Sequence, residues 1–540
     1  MTQATDRSKR AARRAAAQQQ SRQNKPKSTR KQSNEPANHS NSLPSRGSHE
    51  KTASITTQPS KRVAPKQEEQ SPNAQPTEKT TTSQWPQQQQ QLTPKKKSHL
   101  LFCGSNKWDL LGRKSVPKSV AQRGGSEEGR EFLAPVRLSF PDLKSAPFEA
   151  VFSGPTAAHA IVLDTEGIAY GLGRNEHAQL GFEDLRAKTT LQQLEPPLKN
   201  AERIVHACCG RSHTLLVSSE GRVFAAGCNS HGQLGTHSKP QQSGWSVVTI
   251  PGGARVSQVG AGTEFSIFVT DDGHLYAAGC AEHGHLGNGV TGERIESAGK
   301  VVFDTVSTPV RVPFPPDVKI RQIACGANHT VALDDKGKVW SWGWGAYGRL
   351  GHRQPNDEVI PRRVAVFDAD HFDIDFVAAG GTSSFAVQKS RKCIFFWGIT
   401  KKSGESFMYP KPLFDLQGWQ VRSVAVGPSS VAVAAEQSTI SWGASPTFGE
   451  LGYGEGPKSS TKPKKMEALE GLEVKQIAMG IAFTVMIVDC IGEEEEKIVS
   501  ELEEVSLETD HVAEEEKSKP SVKGKRKGQQ ASKRGRKRRK

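Results

Sequence analysis

The hydrophobic positions between residues 98 and 490 recur as two alternating half-repeats. The first half-repeat is an apolar residue, a glycine, a short polar or small stretch and then alternating apolar residues, as in CGRSHTLLV from Cys209 and CGANHTVAL from Cys325. The second is an alternating run that ends in Leu-Gly, as in FAAGCNSHGQLG from Phe224 and WSWGWGAYGRLG from Trp340. Alternation with a period of two, bounded by glycine, predicts short β-strands joined by turns.

The first half-repeat occurs seven times, and its glycines mark the period. These glycines are Gly154, Gly210, Gly262, Gly326, Gly380, Gly427 and Gly480. Their spacings are 56, 52, 64, 54, 47 and 53 residues. A period near 55 made of short alternating strands is typical of a β-propeller, in which each repeat is a four-stranded blade. The pattern therefore predicts an all-β, seven-bladed β-propeller.

The order of the half-repeats predicts how the ring closes. The repeat region begins with a second half-repeat at Leu101 and ends with a first half-repeat at Val488. These two halves lack partners along the chain, so we expect them to pair as one closing blade. Closure from both ends removes the unpaired strand edges that an open array would expose.

Three kinds of repeated residue have structural interpretations. We expect the glycines at turns with positive φ or where backbones approach closely. Histidines recur at one place in the repeat, His159, His213 and His329, and we expect them to satisfy backbone groups, because ligands of one metal would converge instead of spreading around a ring. The leucines of the Leu-Gly endings are predicted core anchors: Leu180, Leu234, Leu286, Leu350 and Leu451.

Charge is concentrated at the ends of the chain. Residues 1–97 hold 19 Lys/Arg against 6 Asp/Glu and are rich in Gln, Ser and Pro, so we predict a disordered basic tail. In the acidic segment 491–516, 12 acids face one lysine, and the basic tail 517–540 has 13 Lys/Arg and no acid. The whole chain is +16, so the repeat region is nearly neutral by difference. An Ile498, Leu502, Val505 spacing indicates one short helix in the acidic segment.

The C-terminal run KGKRKGQQASKRGRKRRK predicts a nuclear-import signal, a nucleic-acid contact, or both. A tail that only increases solubility is the alternative interpretation. The basic residues concerned are Lys523, Lys525, Arg526, Lys527, Lys533, Arg534, Arg536, Lys537, Arg538, Arg539 and Lys540. No apolar run reaches eighteen residues and the N-terminus is polar, so we expect no membrane span and no signal peptide. The eight cysteines form no C-x-x-C pair and are expected to be reduced and mostly buried.

One stretch matches the sequence pattern of a nucleotide-cofactor loop, G-x-G-x-x-G from Gly343 to Gly348. Such a loop needs a helix at its third glycine, but the following RLGHRQPNDEVIPRRV contains helix-breaking residues. The aligned GCNSHGQLG and GCAEHGHLG lack the middle glycine, so Gly345 is interpreted as a chance addition. Phosphate loops, nucleophile turns and zinc-ligand spacings do not occur. The sequence therefore predicts no cofactor, no metal and no bond-breaking active site.

The G-x-x-H-T and N-x-x-G-Q-L-G patterns resemble the repeats of the regulator of chromosome condensation family. The resemblance covers 98–490 and includes strings that the repeats do not share, such as LLFCGSNKWDLLGRKSVPK from Leu100, MYPKPLFDLQGW from Met408 and ISWGASPTFGELGYGEGPKSST from Ile440. The sixth of the second half-repeats, FFWGITKKSGES, lacks the Leu-Gly ending, and the charged C-terminal extension is longer than the family pattern.

This resemblance implies a propeller of nucleus, nucleolus, chromosomes, centromeres and spindle, with some in the cytoplasm, that works with chromosomal passenger proteins in mitosis. It also implies binding of small Ras-superfamily GTPases, Rac and Ral types included, as an exchange factor or as a binder that restrains activation; the founding relative is the chromatin-bound exchange factor for Ran. The alternative is a non-catalytic scaffold that links passenger proteins, chromatin or microtubules through its basic tails.

The longest glycine spacing indicates an insertion between Gly287 and Ile323, and long loops on rigid scaffolds often bind partners. Within it, PVRVPFPPDVK combines fixed proline geometry with apolar and charged side chains, and we expect it to contact a GTPase. A solvated connector is the alternative. The candidate contact residues are Pro309, Arg311, Pro313, Pro315, Pro316, Asp317 and Lys319.

Overall fold

The computed structural model describes residues 97–140, 147–237, 242–400, 405–444 and 447–506. The expectations for residues 1–96, for the C-terminal basic run and for its nuclear or nucleic-acid role lie outside the described residues. The seven-bladed propeller is confirmed, because the described strands form seven blades with four antiparallel strands each, and one blade gains a fifth, parallel strand.

The strands are numbered in chain order. They are β1 (Lys97–Ser105), β2 (Glu131–Ser139), β3 (Phe148–Phe152), β4 (His159–Asp164), β5 (Ala169–Gly173), β6 (Lys188–Gln193), β7 (Ile204–Cys209), β8 (His213–Ser218), β9 (Val223–Gly227), β10 (Gln242–Val248), β11 (Val256–Ala261), β12 (Phe265–Thr270), β13 (Leu275–Cys280), β14 (Arg294–Glu296), β15 (Lys300–Val302) and β16 (Thr305–Val312). The rest are β17 (Ile320–Cys325), β18 (His329–Asp334), β19 (Val339–Gly343), β20 (Glu358–Arg363), β21 (Phe376–Ala379), β22 (Ser383–Gln388), β23 (Cys393–Gly398), β24 (Phe407–Pro412), β25 (Val421–Val426), β26 (Ser430–Ala435), β27 (Ser438–Gly443), β28 (Ser460–Lys465), β29 (Val474–Gly480), β30 (Phe483–Cys490) and β31 (Glu504–Ser506).

Helices are short in the described residues. Two are α-helical, α1 (Lys118–Ala121) and α2 (Glu493–Glu501). The 3-10 turns are Pro251–Gly253, Glu282–Gly284, Ser297–Gly299, Ala346–Gly348, Ala365–Phe367, Phe414–Leu416 and Glu467–Leu469.

Six blades are continuous in the chain and the seventh joins its two ends. Blades 1 to 6 are β3–β6, β7–β10, β11–β13 with β16, β17–β20, β21–β24 and β25–β28. Blade 7 has the order β29-β30-β1-β2-β31, with Leu101 opposite Met486 where the two ends pair. The closing blade built from both ends of the repeat region is therefore confirmed.

The acidic segment extends this closing blade. Helix α2 follows β30 and buries Val499, and β31 then pairs in parallel with β2, with Arg137 opposite Glu504. The short helix predicted for this segment is present, but Leu502 and Val505 lie beyond it, and Val505 is buried by β31 instead. Among the described residues, the strands of the closing blade thus run to Ser506.

Each blade presents two sets of connections, one at each face of the ring. Because successive strands are antiparallel, the first-to-second and third-to-fourth connections leave one face, and the second-to-third and blade-to-blade connections leave the other. The β14–β15 hairpin extends the third-to-fourth connection of blade 3, so we name that side the hairpin face. Lys97 and Ser506 lie at the opposite ends of their strands, on what we name the terminus face.

The core lies between neighbouring blades. The second strands, such as β4, β8 and β18, are buried at every position because blades cover them on both sides. All five Leu-Gly leucines are at most 1% exposed, as the core prediction requires. Burial of this repeated apolar set is the main stabilising contribution to the ring.

The glycines of the two half-repeats serve different purposes. In the second half-repeat, Gly173 and Gly343 have φ of +105° and +100°, a region that side chains disfavour. The seven first-half glycines are not among the positive-φ residues; they sit where chains approach closely. A Cβ on Gly326 would lie 2.2 Å from the His329 ring and 2.5 Å from the carbonyl oxygen of Gly380 in the next blade.

The repeated histidines connect adjacent blades through hydroxyl groups. His329 Nε2 lies 2.8 Å from Ser384 Oγ, and that hydroxyl donates to the Arg349 carbonyl oxygen at 2.8 Å. The hydroxyl proton is thus used, so the imidazole carries its proton on Nε2 and donates it to the serine. His213 repeats this geometry with Ser266. The partner is a side-chain hydroxyl of the next blade, where the sequence interpretation expected backbone groups.

The cofactor-like loop has a structural role in blade 4. The 3-10 turn Ala346–Gly348 and the antiparallel strand β20 follow β19, where a dinucleotide loop requires a helix. Gly345 is not a chance residue, which corrects the sequence interpretation. A Cβ added at this position would lie 1.7 Å from the Asn356 carbonyl oxygen, and the Gly345 N–H donates to Asp357 Oδ1 at 2.9 Å.

Candidate partner-binding surface

The insertion predicted between Gly287 and Ile323 divides between the two faces. Its first part, 288–304, forms the β14–β15 hairpin on the hairpin face. Its second part forms β16, the outer strand of blade 3, and then the connection 313–319 on the terminus face, which we name the proline turn. The candidate residues predicted from the sequence therefore lie in β16 and the proline turn, away from the protruding hairpin.

The hairpin is fixed to the ring at its base. The Asp304 N–H donates to the Thr291 carbonyl at 3.1 Å, and the Asp304 carboxylate holds Arg294 Nη1 at 2.7 Å. The Gly289 N–H donates to the Val359 carbonyl of blade 4 at 2.9 Å. The Ala281 N–H, directly after β13 of blade 3, donates to the Asp304 carbonyl at 2.9 Å, so contacts with blades 3 and 4 hold the base of the hairpin.

Aliphatic side chains of the hairpin face solvent. Ile295 and Val301 are directly opposite in the β14–β15 register and are 75% and 46% exposed. Val290, at 55%, precedes the hairpin, and Ile360, at 48%, lies on the neighbouring strand β20. We name these four residues and Tyr347, all on the hairpin face, the hairpin patch. Ile295 and Val301 are paired, and a Cβ on Gly289, next to Val290, would lie 3.5 Å from Ile360. Exposed apolar side chains grouped on one face mark candidate interaction sites.

Aromatic and cationic groups support the patch from below. The Arg349 guanidinium is fully buried 4.2 Å from the Trp344 ring centroid, and its Nη1 donates to the Gly381 carbonyl of blade 5 at 3.0 Å. Burial lowers the pKa of Arg349 to about 10, so it stays charged at neutral pH. Tyr347 lies 5.6 Å from the same guanidinium and is 50% exposed, which holds one ring at the surface.

A histidine completes this support. His283 Nδ1 lies 2.6 Å from Asp357 Oδ2, and its ring stacks on Trp344 with centroids 5.1 Å apart. The same carboxylate accepts from the Gly345 N–H, so one aspartate fixes the loops of blades 3 and 4 together. The support is therefore preorganised, which reduces the entropy lost when a partner docks.

The proline turn is exposed and also anchored. Phe314 packs at 5.3 Å against Trp340 and at 6.1 Å against Trp342, while Lys336 Nζ binds Asp317 Oδ2 at 2.9 Å and lowers the pKa of that carboxyl. Of the seven candidates Pro309 is buried in β16. The exposed ones are Arg311, Pro313, Pro315, Pro316, Asp317 and Lys319.

The hairpin itself was missed in the sequence analysis. GERIESAGKVVFD contains two short runs around Gly299, which has φ +71°, and this is the signal of a hairpin. The strands have only three residues each, and their exposed pairing lacks the repeat period that revealed the blades.

The terminus face carries acidic connections. One connection of blade 4 contains Asp368, Asp370, Asp373 and Asp375, and α2 begins with four consecutive glutamates from Glu493. The first and last described residues, Lys97 and Ser506, also lie on this face. The hairpin patch and the two ends of the described chain are therefore on opposite faces. Among the described residues, no helix combines the length and apolarity that a bilayer crossing requires.

Comparison with known proteins places these features in a family. The profile described as "Regulator of chromosome condensation (RCC1) repeat" matches residues 166–217, 220–269, 272–333 and 336–387. Protein RCC2 of Homo sapiens is 40% identical over 426 residues, covering 76% of this chain and 80% of that protein. This relative is the second regulator of chromosome condensation, which the blade-specific strings also resemble.

Solved structures show the same fold. Yeast RCC1 (Prp20) bound to Kap60 gives a TM-score of 0.60 at 19% identity, over 80% of this chain and 98% of that one. Prp20p from Saccharomyces cerevisiae, described with its binding properties to Gsp1p and histones, gives 0.58 at 20% identity, over 76% and 95%. On the RCC2 identity and the repeat matches, this chain belongs to the regulator of chromosome condensation (RCC1) repeat family and is an RCC2-like member of it.

Proposed function

We propose that this ring binds a small Ras-superfamily GTPase, of Rac or Ral type, through its hairpin face and regulates the nucleotide state of that GTPase. The observation that carries the proposal is the hairpin patch, a set of exposed apolar side chains above loops that are fixed to one another by hydrogen bonds and ring contacts. Family membership supports it, because the related Prp20p is described with its binding to Gsp1p and histones.

Regulation of this kind requires no bond-breaking chemistry from the ring. A binder shifts an equilibrium by its difference in affinity for two states, so a ring that prefers the nucleotide-free GTPase accelerates exchange, and one that prefers the loaded form restrains it. Burial of one aliphatic side chain contributes about 1.5–3 kcal/mol. A tenfold change in exchange rate needs a difference of about 1.4 kcal/mol between the two states, so it requires that contacts of Ile295 and Val301 worth that much be made in one state and not in the other.

The proline turn is a second candidate contact for the GTPase. Its exposed prolines and Lys319 lie next to Arg311, which is exposed near the end of β16. Because it lies on the terminus face, one globular partner at the hairpin patch does not reach it. The two surfaces therefore make separate predictions for separate variants.

The alternative function is a scaffold that joins passenger proteins, chromatin or microtubules. The density of Lys and Arg after Lys523 favours binding to nucleic acid or to another acidic surface, and it also favours nuclear and nucleolar import. In mitosis the same tails would hold the ring on chromosomes, centromeres or spindle. The described chain begins at Lys97 and ends at Ser506 on the terminus face, so anchoring through the basic segments is compatible with GTPase binding at the hairpin face.

Release of a labelled nucleotide from purified Ran, Rac and Ral GTPases distinguishes the two functions. We expect the full chain to accelerate or slow release from one of them, and Ile295→Asp with Val301→Asp to remove the effect. Phe414→Asp is the matched control, since Phe414 is also 75% exposed but lies on the terminus face. If no GTPase in the panel responds or binds, the scaffold is the better account.

A further inference from the structure

Three potential metal ligands meet where the ring closes. His99 is in β1, Cys490 ends β30, and Glu496 is in α2. Their ligand atoms all lie within 4.8 Å of one another, and His99 Nε2 is 3.0 Å from Glu496 Oε2. The residues are separated by up to 397 positions in sequence, so no ligand spacing along the chain could reveal them.

Their chemistry fits a zinc ion. Zinc binds imidazole nitrogen at about 2.0–2.1 Å, carboxylate oxygen at about 2.0–2.2 Å and thiolate sulfur at about 2.3 Å, in tetrahedral geometry. Tetrahedral ligands at these lengths lie about 3–4 Å apart, so only small side-chain shifts are needed. One thiolate and one carboxylate also balance the charge of a divalent cation.

The cluster is partly enclosed and its backbone is fixed. Cys490 is buried, while the side chains of His99 and Glu496 are 14% and 30% exposed, which leaves one side open for a water ligand. In the β1–β30 ladder Lys97 is opposite Cys490 and His99 is opposite Val488. Packing of Val499 holds α2, and hence Glu496, against the same blade.

The Lys97 ammonium group contacts the oxygen of the Glu496 carboxylate that does not face His99. Lys97 Nζ binds Glu496 Oε1 at 3.0 Å, whereas His99 faces Oε2. Lys97 is 63% exposed, so its side chain can move toward solvent when a metal binds. The ion would replace the hydrogen bonds that Glu496 makes with His99 and with the Cys490 thiol, and the thiol proton would be released to solvent on binding.

We propose that His99, Cys490 and Glu496 form a Zn²⁺ site that clamps the first strand, the last repeat strand and helix α2 together. The site is independent of the hairpin face and of any GTPase. Its consequence is that zinc adds stability to the closure made by β1 and β30 and fixes α2 against the closing blade.

The test uses the full chain with Zn²⁺ or Co²⁺ alone. Co²⁺ titration should give a thiolate charge-transfer band that saturates near one equivalent, and Cys490→Ser should abolish it. Cys393→Ser is the matched thiol control, because Cys393 is a half-buried cysteine of blade 5, and it should keep the band. Saturating Zn²⁺ should raise the melting temperature by about 2 °C or more.

Glu496→Gln keeps the proposal testable if Cys490→Ser does not fold. It should remove the zinc-dependent rise in melting temperature, whereas Glu494→Gln, the same charge change at an exposed position of α2, should retain it. Equal zinc-dependent rises in the parent protein and in Glu496→Gln would overturn the site. So would a cobalt band that persists in Cys490→Ser.

Discussion

The seams between blades and the hairpin patch differ in burial and in how often they occur in the ring. At the seam between blades 4 and 5, the absence of a side chain at Gly326 lets the Gly380 backbone approach, and His329 donates a hydrogen bond to Ser384. His329 and Ser384 are both fully buried. At the hairpin patch, Ile295 and Val301 project from a three-residue pairing into solvent. The seam is repeated around the ring, and the hairpin occurs in blade 3 alone among the described blades.

This difference separates stability from recognition. A feature that every blade needs reveals itself as a period in the sequence, and its loss should cost free energy of unfolding. A feature that one blade carries has no period, and its loss should cost binding. Substitutions that move both quantities together would weaken the distinction.

The largest effect is expected at the seam glycine. Gly326→Ala places a Cβ 2.5 Å from the Gly380 carbonyl oxygen, so blades 4 and 5 must separate. We expect a loss of about 3 kcal/mol or more in the free energy of unfolding. Gly456→Ala is the control, since the nearest atom to its Cβ is 3.8 Å away, and denaturant unfolding of both variants measures the difference. Equal stability of the two variants would contradict the close-approach account.

The next effect is the response of the seams to acid. Burial holds the pKa of His159 at about 3 and that of His213 at about 4, and it lowers the pKa of His329, which His285 and Arg349 lower further. These folded values lie below the unfolded value near 6.5, so as pH falls through 6.5 the unfolded chain binds protons first. The free energy of unfolding should fall by about 2 kcal/mol per histidine between pH 7 and 5.

Phe265 occupies the equivalent seam position in blade 3, so His329→Phe should fold and reduce this pH dependence. His231→Asn, at a half-exposed histidine, is the control substitution. Unfolding titrations at pH 7 and 5 provide the comparison. A pH dependence that His329→Phe does not alter would mean that other groups control it.

The seams could be predicted from the sequence better than the patch, for a physical reason. Glycine, histidine and leucine recur because each blade buries them in the same environment, so Leu350 and the closing pair of β1 and β30 could be predicted. The proline turn could be recognised from its composition. Composition does not show, however, that the proline turn and the hairpin of the same insertion lie on opposite faces of the ring. Gly345 was misjudged because its constraint, the Asn356 carbonyl, comes from an irregular loop.

The smallest effect on the ring is expected from the tails. Removal of 1–96 and 517–540 should abolish salt-sensitive DNA or microtubule binding, because those segments carry the basic charge, and should leave the melting temperature nearly unchanged. Binding titrations at two salt concentrations and a thermal melt measure both. DNA binding that survives both truncations would place the contact on a face of the propeller.

The central claim is that the hairpin face holds the GTPase, and one paired affinity measurement tests it. The responsive GTPase is titrated against two variants, Ile295→Asp with Val301→Asp at the patch, and Arg311→Glu with Pro316→Gly and Lys319→Glu at the proline turn. We expect the patch variant to weaken binding tenfold or more at an unchanged melting temperature, since it loses at least about 1.4 kcal/mol of apolar contact. Full affinity in the patch variant, with loss in the turn variant, would contradict the account and place the GTPase on the terminus face.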